Sequence, residues 1–120
     1  MSAFDMSNIQ ASKKELLSGT LDLLVLKTLD TMGPLHGYGI ARRIEQMSAN
    51  VMRLSQGSIY PALIRLEQRG WIKTKWGVSE TNRKVKFYSL TRTGAMQLRV
   101  EVASWEQTLA LVSRVLEGKA

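Results

Sequence analysis

The chain has no cysteine, which excludes disulfides, thiolate nucleophiles and cysteine-ligated zinc, and fits a reducing cytosol. It has one histidine, His36. A metal cluster or a Ser/His/Asp arrangement would have to be built around that residue alone, so no metal is expected and His36 is read as a turn residue. Long apolar runs are missing too. None exceeds four residues, as at Leu23 to Leu26, far short of the roughly 18 residues that a membrane span requires. The N-terminus lacks an apolar signal core, and the expectation is a soluble, cytoplasmic protein with no membrane partner. The glycines of HGYGIA do not fit a dinucleotide fingerprint, and no phosphate loop occurs. No nucleophile, base and orienting group share a recognisable motif, so neither an enzyme nor a cofactor is expected. Acidic residues are the scarcer charge: 10 Asp and Glu against 17 Lys and Arg leave a net +7. That balance favours an anionic partner, nucleic acid or a lipid surface, with solvated surface charge as the bland alternative.

What is present is enough for one domain. A chain of 120 residues with 44% hydrophobic content can bury a modest core, and a partner chain could supply more. The stretch LSQGSIYPALIRLEQRGWI organises the rest. Ser55 is placed to cap a helix over Gln56 to Arg69, and Gly70 to end it in the left-handed conformation. At 100° per residue Ile59, Ala62, Leu63 and Leu66 share one side, with Gly57, Pro61, Ile64, Arg65 and Gln68 roughly opposite. Pro61 opposes the assignment by denying a hydrogen bond to the Gly57 carbonyl. The apolar spacing nevertheless continues across it.

Upstream, residues 1–12 are mixed and polar and are expected to form a loose, flexible arm. Ser12 and Glu15 offer a capping box, weakened by Gly19, so a first helix starts between Lys13 and Thr20. Leu21, Leu24, Val25, Leu29 and Met32 form its stripe, and Gly33-Pro34 ends it. A second helix follows the HGYG turn with Ile40, Ala41, Ile44 and Met47 inward and Arg42, Arg43 and Gln46 outward. Downstream, Trp71 to Trp76 and VKFYSL alternate with period two, giving a hairpin whose tip, GVSETNRK, is long and basic.

Thr91 is placed to cap a last helix running to about Glu117, about 39 Å long at 1.5 Å per residue. Ala95, Leu98, Val102, Trp105, Leu109, Val112 and Leu116 alternate in steps of three and four, an a/d heptad seam. A seam of that length calls for another helix. Packing on the chain's own first helix competes with a two-fold dimer in which both contacts occur. The expected fold is mainly α with a small β-hairpin: a winged helix-turn-helix over residues 13–91 and a long dimerisation helix over 92–120.

In such a module the third helix enters the major groove and the hairpin tip is the wing. Gln56, Ser58 and Arg65 are candidate donors to bases, and Ile64 offers an apolar contact suited to a thymine methyl. On the wing, Asn82, Arg83, Lys84 and Lys86 can meet the backbone or minor groove.

The fragments GTLDLLVLKTL, HGYGIARRI, GSIYPALIRLEQRGWI and FYSLTRTG, in that order over roughly Ser18 to Glu117, resemble the PadR family of bacterial transcriptional regulators. The resemblance implies a homodimeric winged-helix repressor of an inverted-repeat operator, with Tyr38 and Tyr60 at the DNA-binding surface and the last helix dimerising. Position 64 is commonly polar or basic in the family and is Ile here. The wing carries NRKVKFY in place of a frequent Gly-Gly-Arg pattern. Some relatives respond to phenolic acids or flat, hydrophobic drugs, which extends the expectation to a small hydrophobic or aromatic effector with Trp105 as a wall of its site. Trp105 is also a seam position, so plain packing competes. The alternative function is a winged-helix protein-interaction module without DNA binding, motivated by Ile64.

Overall fold

The computed structural model describes the backbone of residues 6–118 and the side chains of residues 19–118. The first helix, α1 (Met6–Met32), starts upstream of the expected Lys13 to Thr20 window. Gly19 does not interrupt it, since one glycine costs only about 1 kcal/mol relative to alanine. Of the expected arm, residues 1–5 lie outside the described residues and the rest belongs to α1. The capping box falls inside this helix, and its side chains are outside the described ones. Leu21, Val25, Leu26 and Leu29 are buried, whereas Met32 is exposed beyond the last core contact. Thr28 is fully buried, its hydroxyl donating to the Leu24 carbonyl at 2.7 Å. Gly33, at φ 79°, ends the helix as expected.

The segment expected to be only a turn contains a strand, β1 (Leu35–His36), followed at once by α2 (Gly37–Met47). His36 caps that helix: its Nδ1 accepts from the Gly39 amide at 3.0 Å. Ile40, Ala41 and Ile44 are buried, but Met47 in the last turn is exposed. Arg43, expected to face outward, is half-buried, and its Nε has no hydrogen-bond partner among the described residues.

Glu45 fastens the connection to the next helix, its carboxylate accepting from the Leu54 amide at 2.8 Å. That helix, α3 (Gln56–Gln68), passes through Pro61. Its buried side is Ile59, Ala62, Leu63 and Leu66, as the periodicity requires. Ser55 does not cap through its side chain. Its backbone carbonyl instead accepts from the Ser58 and Ile59 amides. At the other end Gly70 adopts φ 76°, and the Trp71 and Gly70 amides donate to the Leu66 and Glu67 carbonyls, a Schellman stop.

Strands β2 (Ile72–Val78) and β3 (Lys84–Leu90) form the hairpin, and β1 adds to β3 in a three-stranded antiparallel sheet ordered β1-β3-β2. The third strand corrects the two-stranded expectation. Thr91 then caps α4 (Arg92–Leu116), accepting from the Gly94 amide at 2.9 Å while donating to the Gly70 carbonyl at 2.7 Å. One hydroxyl thus joins the end of α3 to the start of α4.

The core lies where α1, α2, α3, the sheet base and the first turns of α4 meet, with Val25, Leu26, Ile40, Ile59, Leu63, Leu66 and Ile72 almost inaccessible. The seam on α4 divides. Leu98 is buried in this core and Val102 packs against it, whereas Leu109, Val112 and Leu116 are exposed. The helix leaves the body part-way along its length, and the molecule measures 56 × 31 × 28 Å.

Candidate nucleic-acid interface

Packing the apolar side of α3 into the core leaves its first turns facing the wing. Between them lies a concave recess of about 730 Å³, reached by Tyr38, Gln56, Tyr60, Trp76, Arg83 and Lys86 among others. The Tyr60 ring lies over Gly37, where an added Cβ would stand 3.1 Å from the phenol oxygen. That close approach fixes the start of α2 against α3. The His36 ring stacks beside Tyr38 at 6.3 Å and meets Phe87 edge-on at 5.8 Å, tying the α2 start to the sheet. Tyr38 is 66% exposed, so its hydroxyl stands free of the core.

The wing is tighter than expected. Ser79 to Arg83 close it, with the Ser79 amide donating to the Arg83 carbonyl at 2.8 Å and the Asn82 amide to the Ser79 carbonyl at 2.9 Å. Asn82 takes a left-handed conformation at φ 62°, one that asparagine tolerates better than most residues. Lys84, expected in the tip, therefore belongs to β3, which also carries Lys86 as expected. Arg83, Lys84 and Lys86 are exposed, and no ion pair among the described residues engages them.

On α3, Gln56, Ser58 and Ile64 are exposed. Ser58 shares a 3.4 Å hydroxyl contact with Ser55. Arg65 differs. Its guanidinium grips Asp22 of α1, with Nη2 at 2.7 Å and Nε at 3.4 Å from the two carboxylate oxygens, and Arg69 adds a 3.8 Å ion pair to the same group. The fork expected to read bases is occupied in holding α3 against α1. Sequence reasoning missed Asp22, Glu45 and the capping role of His36. The first two act across long or irregular separations that leave no periodic signal. His36 acts three residues ahead of its partner, where a cap search limited to Ser, Thr, Asp and Asn passes over it.

Burial raises the Tyr88 phenol above its ordinary 10.0, and the negative charges of an ionised Tyr60 phenolate and of the Glu67 carboxylate add to the effect. Tyr88 therefore stays neutral and serves as a wall at the base of the recess. Among the described residues no helix is long and apolar enough to cross a membrane, and no His, Asp and Glu cluster could hold a metal ion.

The family described as transcriptional regulator PadR-like matches residues 25–100, covering α2, α3, the whole wing, part of α1 and the start of α4. The chain belongs to the PadR-like family of transcriptional regulators. Solved relatives share the shape as well. A transcriptional regulator from Clostridium thermocellum is 26% identical with a TM-score of 0.75, covering 83% of this chain and 96% of its own. A PadR-like regulator from Bacillus cereus is 27% identical at 0.73, covering 88% and 99%. A PadR family regulator from Eggerthella lenta is 27% identical at 0.71, covering 93% and 96%. The mainly α winged-helix fold with a long last helix is thus that of PadR-like regulators.

Proposed function

We propose that this PadR-like regulator is a sequence-specific DNA-binding repressor that occupies an inverted-repeat operator as a homodimer. The observation that carries the reading is the recess itself, where the exposed start of α3 faces a wing bearing Arg83, Lys84 and Lys86. Gln56, Ser58 and Ile64 are the base-reading set, with Ile64 suited to a thymine methyl. Tyr38, Tyr60, Asn82, Arg83, Lys84 and Lys86 engage the backbone. Arg65, expected to read bases, instead sets the angle of the reader helix through Asp22.

In this reading residues 13–91 form the DNA-binding unit and α4 dimerises; of the expected dimerisation segment 92–120, residues 119 and 120 lie outside the described ones. Leu109, Val112 and Leu116 form an exposed apolar run on α4, which a second copy would cover, with Leu98 and Val102 supporting it from the core side. Two readers on one face of the duplex must stand about 34 Å apart. An effector, small and hydrophobic or aromatic, would release DNA by favouring a dimer with another reader spacing, and Trp105, half-buried on α4, is the candidate wall. Such a ligand must supply the free energy of that shift through its own differential affinity.

Selection from random duplexes, followed by salt titration on the enriched sequence, tests the reading. The expected result is tight binding to a two-fold sequence with log K falling linearly in log salt. Ile64, 55% exposed and apolar, motivates the second reading, a winged-helix protein-interaction module. No enriched sequence, together with capture of one stoichiometric protein partner, would replace the first reading with the second.

A further inference from the structure

Trp76 is a large apolar side chain left 57% exposed on the wing, outside the buried core. The register of the hairpin sets it opposite Lys86 and sets Val78 opposite Lys84, so Trp76, Lys84 and Lys86 share one sheet face. The same face carries Ile72, Thr74 and Tyr88 nearer the core. It therefore passes from core wall at its base to recess wall at its outer end. The Lys84 and Lys86 ammonium groups lie 5.1 and 5.6 Å from the Trp76 ring centroid. Both fall within the range over which an indole attracts a cation. A free lysine head samples many rotamers, and ordering it at a phosphate opposes binding. An indole that already holds the ammonium removes part of that cost.

We propose that Trp76 is a positioning residue for DNA: its ring is a platform that holds Lys84 and Lys86 over the recess, at the level of the phosphates of a strand lying between the wing and Tyr38. The proposal rests on the DNA-binding reading and adds to it a neutral residue whose effect is electrostatic. Scattered, solvated lysines would gain nothing from a neighbouring ring. A platform makes the number of ions released on binding depend on an uncharged side chain.

The test is a salt titration of the selected duplex with the full chain and with Trp76→Ala, Trp76→Phe, Lys86→Ala and the Trp76→Ala/Lys86→Ala double variant. Thermal unfolding of each is recorded alongside. Trp76→Ala is expected to weaken binding about three- to tenfold and to lower the slope of log K on log salt by about one, although no charge is removed. Trp76→Phe should recover much of both, and the double variant should lose less than the sum of the single losses. A slope in Trp76→Ala equal to that of the wild type overturns the proposal, whatever the affinity. So does a phenylalanine variant no better than alanine, or strict additivity in the cycle. Should Trp76→Ala fail to fold, Trp76→Leu, which keeps apolar bulk without a ring face, replaces it in the cycle with Lys86→Ala. A wild-type chain that binds no duplex removes the DNA reading itself, whereas wild-type binding that Trp76→Ala leaves untouched in slope removes this inference alone.

Discussion

Arg65 and Arg83 carry the same charge, yet their surroundings suit them to different roles in the proposed complex. Arg83 is exposed at the wing tip with no ion pair among the described residues, so Arg83→Ala should weaken binding to all duplexes alike and lower the salt slope by about one. Ile64→Ala should instead alter the base preference with the slope unchanged, which a repeated random-duplex selection would read. Arg65 works through Asp22, which is only 13% exposed and takes both Arg65 and Arg69. Asp22→Ala leaves two guanidinium groups without their acceptor. With Arg65 one-third exposed, solvent limits the expected loss to about 1 kcal/mol in urea unfolding. Tyr88 gives a pH signature. Its raised pKa means that the unfolded chain loses the phenolic proton first, so this residue's contribution is complete below pH 10.0 and lost as pH rises through the folded value. Urea midpoints should fall above pH 10, and Tyr88→Phe should flatten that fall.

The elements meet at joints that a few atoms control. At the joint of α3, β2 and α4, the Thr91 amide donates to the Trp71 carbonyl at 3.0 Å, and a Cβ at Gly94 would overlap that same carbonyl. Backbone cannot yield as a flexible side chain can. Gly94→Ala should therefore destabilise the fold by about 2 to 3 kcal/mol in denaturant unfolding, despite the better helix propensity of alanine. Elements with a strong period were legible in the sequence. The buried face of α3, the stops at Gly33 and Gly70 and the Thr91 cap follow from spacing and local chemistry alone. Strand β1 was not, because two residues are too short to display a period and owe their conformation to Tyr88 and Phe87 across the sheet. The pairing of Arg65 with Asp22 was hidden for a related reason: a helical wheel places a residue on a side without naming the neighbour that meets it. On α4 the heptad announced an apolar seam but not its partner. Leu98 is committed to the chain's own core, and only the distal positions remain exposed.

At the scale of the whole molecule, the recess lies between α3 and the wing, while the distal half of α4 extends from the body with Leu109, Val112 and Leu116 uncovered. Exposed apolar side chains in such a run are costly in water and gain when a second copy covers them. In the proposed dimer α4 sets the distance between the two readers, so contacts remote from DNA determine which operators fit. Val112→Glu, or a charged residue in place of Trp105, should lower the sedimenting mass to that of one chain and weaken operator binding, with the separated chain still folded by circular dichroism. The most direct measurement is sedimentation velocity of the wild-type chain mixed with its selected duplex. Two chains on one duplex, dissociating as salt is raised, is the expected result. A single chain per duplex, or a chain that leaves every duplex free, would contradict the proposed mechanism.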